Sequence, residues 1–326
     1  ALRLAIQQGQ PDSALRRLAL LRRAAGSQAP VNDSLLRLVL ELKREAESLK
    51  KQGRGEERDR LERGLIVFLD ELARPNNLPD DVRVFLAQAY SGLDRHERAA
   101  QILKSLAPPA AGAPDDAVQR YRSIQLLAAR EHRLARQFDE ARALVQEMLS
   151  SWGRTDLGVR REKICLLEDA GNYAAAVGEC REIKRSLLAA RNEYERAARD
   201  EAQADEAERT APDAAARDKA VQDRAAAQIR RDAAKALRDR YWEFDALDTR
   251  IVLRSCQKVA DAGARRQKFA ALAESIVRLE SAFPHVVERE FRDRYLELFE
   301  IESELRSLYQ EAGGRRLLDQ DERGPQ

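Results

Sequence analysis

Side chains able to do chemistry are scattered along this 326-residue sequence, and their spacing decides what that chemistry can be. Three adjacent acid pairs, Glu56-Glu57, Asp80-Asp81 and Asp115-Asp116, have the make-up of a general acid and base. Each stands at the start of a helix-forming run, where a carboxylate meets the positive end of the helix dipole, so a helix-start role is expected instead. His96, His132 and His285 stand singly, and surface or loop positions are expected for them rather than metal ligation or proton transfer. Cys165, Cys180 and Cys256 form neither an even framework nor a CxxC pair, which speaks against a disulfide scaffold and a zinc site. Each falls on an apolar helical stripe and is expected as a small buried hydrophobe. Gly53-Arg54-Gly55 and Gly112 lack the preceding strand that a phosphate cradle requires, and Walker-type, GxGxxG, GxSxG and HExxH patterns are not found. Neither catalysis nor a cofactor is expected.

The elements that carry these residues are helical by composition. Hydrophobic residues make up 44% of the chain, enough for a substantial core, while aromatics are 5% and Gly and Pro number only 15 and 10. Lys plus Arg (58) and Asp plus Glu (56) nearly cancel, for a formal charge of +2, which argues against a dedicated nucleic-acid surface. The arginine pairs Arg22-Arg23, Arg160-Arg161, Arg230-Arg231, Arg265-Arg266 and Arg315-Arg316 are dispersed and read as solvated helix faces. No apolar run reaches the roughly 18 residues of a membrane span, and no secretory signal is visible. The chain opens at Ala1 in helix-forming sequence and reads as a fragment, which leaves its compartment open.

From about residue 80 to 188, helix pairs recur with a shared grammar. The first pair is 82–92 and 96–106, joined by Leu93-Asp94-Arg95 and closed by Pro108-Pro109. A second joins 124–136 to a helix opening at Phe138, and a third joins 164–170 to one opening at Tyr173. Phe138 with Ala141 and Tyr173 with Ala176 repeat 35 positions apart. Ala87 with Ala99 and Ala129 with Ala141 supply the short side chains that let antiparallel helices approach within about 8–10 Å.

A small residue within the first helix, an aromatic opening the second and then alanine: this pattern resembles the tetratricopeptide repeat, whose period is about 34 residues. The resemblance implies an α-solenoid of antiparallel hairpins whose successive first helices line a groove for a partner protein or peptide. The outward residues there are Gln88 and Ser91, Arg130 and Arg133, and Arg161 and Glu168, and three arginines suit an acidic segment. Outside this block the likeness thins. Residues 1–8 with Leu15, Leu18 and Leu21 after Pro11 read as a truncated repeat, 35–49 with 60–72 as another pair, and 269–284 and 291–308 as two further helices.

Between 187 and 240 large side chains nearly vanish and alanine alternates with charge. A break at Thr210-Ala211-Pro212-Asp213 predicts a long antiparallel hairpin with a narrow alanine seam. Its expected seam residues are Leu187, Ala190, Tyr194, Ala197 and Ala204 on one helix and the i,i+4 ladder Val221, Ala225, Ile229, Ala233, Leu237, Tyr241 on the other. The expected organisation is a repeat array over 1–186, the hairpin over 187–240, C-terminal repeat-like helices over 241–312 and a flexible tail over 313–326. A non-catalytic interaction scaffold is the expected function. Self-assembly through the hairpin seam is the alternative, and a regulatory piece of a larger enzyme the third.

Overall fold

The structure, a computed structural model, describes residues 2–8, 10, 13–14, 16–17, 20, 29–74, 78–283 and 289–318, without the side chains of 29–34, 36, 289 and 290. Pro11, Leu15, Leu18, Leu21, the pair Arg22-Arg23, Pro284 and His285 lie outside the described residues. All regular structure among the described residues is helical, with no strand. The helices are α1 (Leu2–Gln7), α2 (Ala29–Lys51), α3 (Gly55–Ala73), α4 (Asp80–Ser91), α5 (His96–Lys104), α6 (Asp115–Leu134), α7 (Phe138–Ser151), α8 (Leu157–Asp169), α9 (Tyr173–Thr210), α10 (Ala214–Gln257), α11 (Ala262–Ala282), α12 (Arg289–Ile301) and α13 (Ser303–Glu311). They group into two compact units, Ala1–Leu166 and Leu167–Gln326. None of the helices is long and apolar enough to cross a membrane.

Unit 1 is built from hairpins because one turn recurs at their joints. Gly53, Asp94 and Arg136 have φ of 71°, 55° and 61°, and the next residues, Arg54, Arg95 and Gln137, share φ near −85 to −97° and ψ of 54 to 69°. In each turn that next residue donates its N–H back five positions, to the carbonyls of Leu49, Tyr90 and His132 at 2.9–3.0 Å. This is the left-handed C-cap that ends a helix while satisfying its last carbonyls. Glycine adopts it freely at 53; Asp94 and Arg136 hold it against the steric preference of an L residue.

Short side chains then set the packing. Ala87 and Ala99 are buried in one apolar cluster with Phe68, Leu86, Tyr90 and Leu103; Ala129 and Ala141 are buried in a second with Val145, Met148 and Val159. At Gly64 of α3 a Cβ would stand 2.4 Å from the Ile6 carbonyl, so only glycine admits α1 there. The acid pairs take the places expected of them, in the first turns of α3, α4 and α6.

In unit 2 the same turn recurs at Gly171 (φ 79°), where Asn172 donates to the Leu167 carbonyl at 2.8 Å. The hairpin it opens is longer than 187–240: α9 has 38 residues and α10 has 44, roughly 57 and 66 Å at about 1.5 Å per residue. The tip falls at the anticipated break, and Asp213 caps α10 by accepting the Ala216 N–H at 2.7 Å.

The seam differs from the expected ladder. Its buried alanines are Ala197 and Ala204 on α9 and Ala220, Ala227 and Ala234 on α10, seven apart on each helix. The ladder residues Val221, Ile229 and Leu237 are instead 38%, 71% and 47% exposed. A row spaced by four drifts round a helix, whereas two helices in long contact must alternate steps of three and four. Between the alanines sit long side chains paired in antiparallel register: Arg224 with Glu208 at 2.6 Å, Arg231 with Glu201, and Arg238 over the Tyr194 ring at 3.9 Å. Arg191 with Tyr241 (2.9 Å) and Lys184 with Asp248 (2.9 Å) continue the series towards the base.

At the base Trp242 is fully buried, with ring centroids of Tyr241, Phe283 and Phe291 at 5.1, 5.3 and 6.3 Å. The expected single helix 291–308 breaks at Glu302 into α12 and α13. Glu302 occupies the next position of the stripe Phe291, Tyr295, Leu298, where a continuous helix would bury its carboxylate; extended backbone there brings it to the Gln257 amide at 3.1 Å. Leu317, within the expected tail, is fully buried, and its carbonyl accepts the Arg292 Nε–H at 2.7 Å.

Candidate partner-binding surface

Within unit 1 the first helices of successive hairpins are joined by carboxylates that are themselves buried. Ser91, at the end of α4, donates its hydroxyl to Glu131 of α6 at 2.9 Å, and His96 Nδ1 lies 2.8 Å from the other Glu131 oxygen. From α6, Arg133 Nε donates to Glu162 of α8 at 2.5 Å. Glu131 and Glu162 are both buried, and a buried carboxylate persists only where hydrogen bonds or a cation compensate its lost hydration.

The six residues expected to face a partner therefore divide. Gln88 is exposed one turn before Ser91, and Arg130 and Arg161 are exposed without an ion pair or hydrogen bond to any described residue. Ser91 and Arg133 are occupied in ties between helices. Glu168, at the end of α8 and inside unit 2, is buried against Arg250 at 2.6 Å and Arg254 at 3.1 Å of α10. The accessible ionic groups of the unit 1 set are thus the cations Arg130 and Arg161.

The histidines with described positions are not surface residues. His132 is buried, with Nδ1 2.7 Å from Gln137 Oε1, and His96 is half-buried against Glu131. A ring nitrogen with a hydrogen-bond partner lowers the cost of burying an imidazole, so such sites are open to histidine in a core. His132 also lines a pocket of about 250 Å³ walled by Leu106, Tyr121, Ile124 and Leu144. Burial pushes the Tyr121 phenol up, and Glu147 adds to the effect. Cys180 and Cys256 are buried, as expected, and Cys165 is half-buried; none of the three is in a disulfide.

Sequence reasoning missed the ionic centre of unit 2. Lys184 Nζ of α9 lies 2.6 Å from Asp245 Oδ1 and 2.9 Å from Asp248 Oδ2 of α10, and Tyr295 of α12 donates to Asp245 Oδ2 at 2.8 Å. Burial works to lower the lysine pKa, but the two carboxylates reverse this and hold it above the ordinary lysine value. Burial, reinforced by Asp245, raises the Tyr295 phenol well above its usual range. The available signal was Asp245 and Asp248, one helical turn apart among Tyr241, Trp242, Phe244, Leu247 and Ile251.

Among the described residues no three His, Cys, Asp or Glu side chains are grouped so as to hold a metal ion. Compared with known protein families, curated proteins and solved structures, the chain matches none.

Proposed function

We propose that this chain is a non-catalytic interaction scaffold, a tetratricopeptide-like solenoid whose first-helix face in unit 1 receives an acidic segment of a partner protein. The observation that carries this reading is the joining of α4 to α6 and α6 to α8 by buried carboxylates, which leaves Arg130 and Arg161 exposed and unpaired beside those ties. Two unpaired guanidinium groups on a rigid helical face suit charge-assisted, bidentate capture of carboxylates. The recurring turn at Gly53, Asp94, Arg136 and Gly171 supports the repeat assignment, since one joint geometry is reused from hairpin to hairpin. A Glu-rich peptide array is the test. Binding by the full chain should fall roughly tenfold or more in Arg130→Glu/Arg161→Glu and stay unchanged in Arg142→Glu on α7. Equal binding by both variants and the parent would rule the face out.

A second reading, self-assembly, is favoured by one observation. The hairpin seam is satisfied within the chain, but Val221, Ile229 and Leu237 form an exposed apolar row that winds round α10 outside it. If this row pairs hairpins, light scattering should show mass rising with concentration in the parent and a monomer in Ile229→Ser/Leu237→Ser. A parent that stays monomeric throughout excludes it.

A further inference from the structure

Unit 2 contains a cleft of about 830 Å³ between the base of the hairpin and α11. Its apolar wall is Val177, Val252, Leu272, Ile276 and Leu279. That volume falls in the range of sites that enclose a ligand or several side chains of a peptide.

The charges lining it are arranged by depth. Asp245 and Asp248 are buried and engaged with Lys184, and Asp245 also with Tyr295, so their charge is compensated from within the fold. Arg181 and Lys268 are the lining residues with exposed charge, and neither makes an ion pair or hydrogen bond with any described residue. Arg209 and Arg230 on the same hairpin are by contrast turned onto neighbouring carboxylates, Asp205 and Asp200. Two unpaired cations at the mouth of an apolar cleft are therefore complementary to a ligand that brings its own anions and an apolar surface together.

We infer that the unit 2 cleft is a second docking site, and that it takes an acidic amphipathic peptide segment of a partner protein, with carboxylates at Arg181 and Lys268 and aliphatic or aromatic side chains between them on the apolar wall. This goes beyond the unit 1 face, which offers cations on a helical surface but no enclosed apolar wall lined by them. Both cations are flexible arms, so affinity comes chiefly from the apolar contact, and the charges set which sequences are accepted.

The test is fluorescence anisotropy with a fluorescein-labelled ten-residue peptide alternating Glu and Leu, titrated with the full chain. Saturable binding is expected, weakened about tenfold or more by Arg181→Glu/Lys268→Glu. It should be abolished by Ala271→Trp, which fills the cleft from an exposed lining position; circular dichroism at 222 nm checks that this variant remains folded. Arg130→Glu/Arg161→Glu should leave this binding unchanged, which separates the cleft from the unit 1 face. The inference is overturned if all variants bind alike, if a peptide alternating Lys and Leu binds as well, or if dodecanoate displaces the peptide at lower concentration, which would make the occupant a small amphiphile.

Discussion

Replacing Lys184 with Met should destabilise unit 2 by about 3–5 kcal/mol, the loss expected when one partner of a buried ionic group is removed and the other stays charged. The effect is large because two carboxylates are stranded. Asp248 has one oxygen on Lys184 and its other, Oδ1, enclosed without a hydrogen-bond partner, so nothing else compensates it. Asp245 retains only the Tyr295 hydroxyl. The pH dependence has a definite sign. The folded Lys184 pKa lies above the unfolded one, so its stabilisation is complete below the ordinary lysine value of about 10.4 and is lost only as pH rises through the raised folded value. The deficit of Lys184→Met should therefore be constant from about pH 6 to pH 10 and close only at more alkaline pH. Urea unfolding followed by Trp242 emission in a Trp152→Phe background measures this, and a deficit below about 1 kcal/mol at pH 7 would show that the lysine is not the compensating charge. Adding Asp248→Asn to the variant should restore part of the loss.

The helical hairpins were legible because their signals are local. Phe138 with Ala141 and Tyr173 with Ala176 do open α7 and α9, and Ala141 and Ala176 are fully buried. The hairpin seam was legible on α9, where Leu187, Ala197 and Ala204 are buried as expected, but not on α10, because alanine reads the same on both faces of a helix. Ala227 is buried and Ala225 and Ala233 are exposed, and the larger Val221, Ile229 and Leu237 drew the periodicity to the outer face. Seam positions held by Arg224, Arg231 and Arg238 look like solvent positions until their partners on α9 are known.

The candidate surface was half legible for a related reason. Exposure of Gln88, Arg130 and Arg161 follows from helical phase alone. Occupation of Arg133 and Glu168 does not, since their partners Glu162 and Arg250 stand 29 and 82 residues away in sequence. A polar or charged residue beside an apolar stripe has two outcomes, a solvated arm or a buried tie. Only the tertiary arrangement decides which, and here the buried acids Glu131, Glu162 and Glu168 decided it for Ser91, Arg133, Arg250 and Arg254.

Trp242→Ala should lower the stability of unit 2 by about 3–5 kcal/mol, the range for emptying a fully buried large aromatic site. The residue joins the hairpin to the helices beside it. Its ring meets Tyr241 on its own helix, Phe283 at the end of α11 and Phe291 on α12, the first two edge-on, and such pairs add roughly 0.5–1.5 kcal/mol beyond burial. Two arginines close the same cluster, Arg191 over the Tyr241 and Phe283 rings at 4.7 and 4.8 Å and Arg238 over Phe291 at 5.3 Å. Removing the indole takes the shared wall from both, so loss should reach beyond the cavity to the hairpin register that Arg238 and Arg191 help to set. Trp152, the other tryptophan, lies in unit 1. In Trp242→Ala the urea midpoint of the 222 nm signal should fall while the Trp152 emission midpoint stays near its parent value. Trp242→Phe, which keeps an aromatic wall, should recover at least half of the loss. A Phe variant as unstable as the Ala variant would mean that the site depends on the indole N–H rather than on packing.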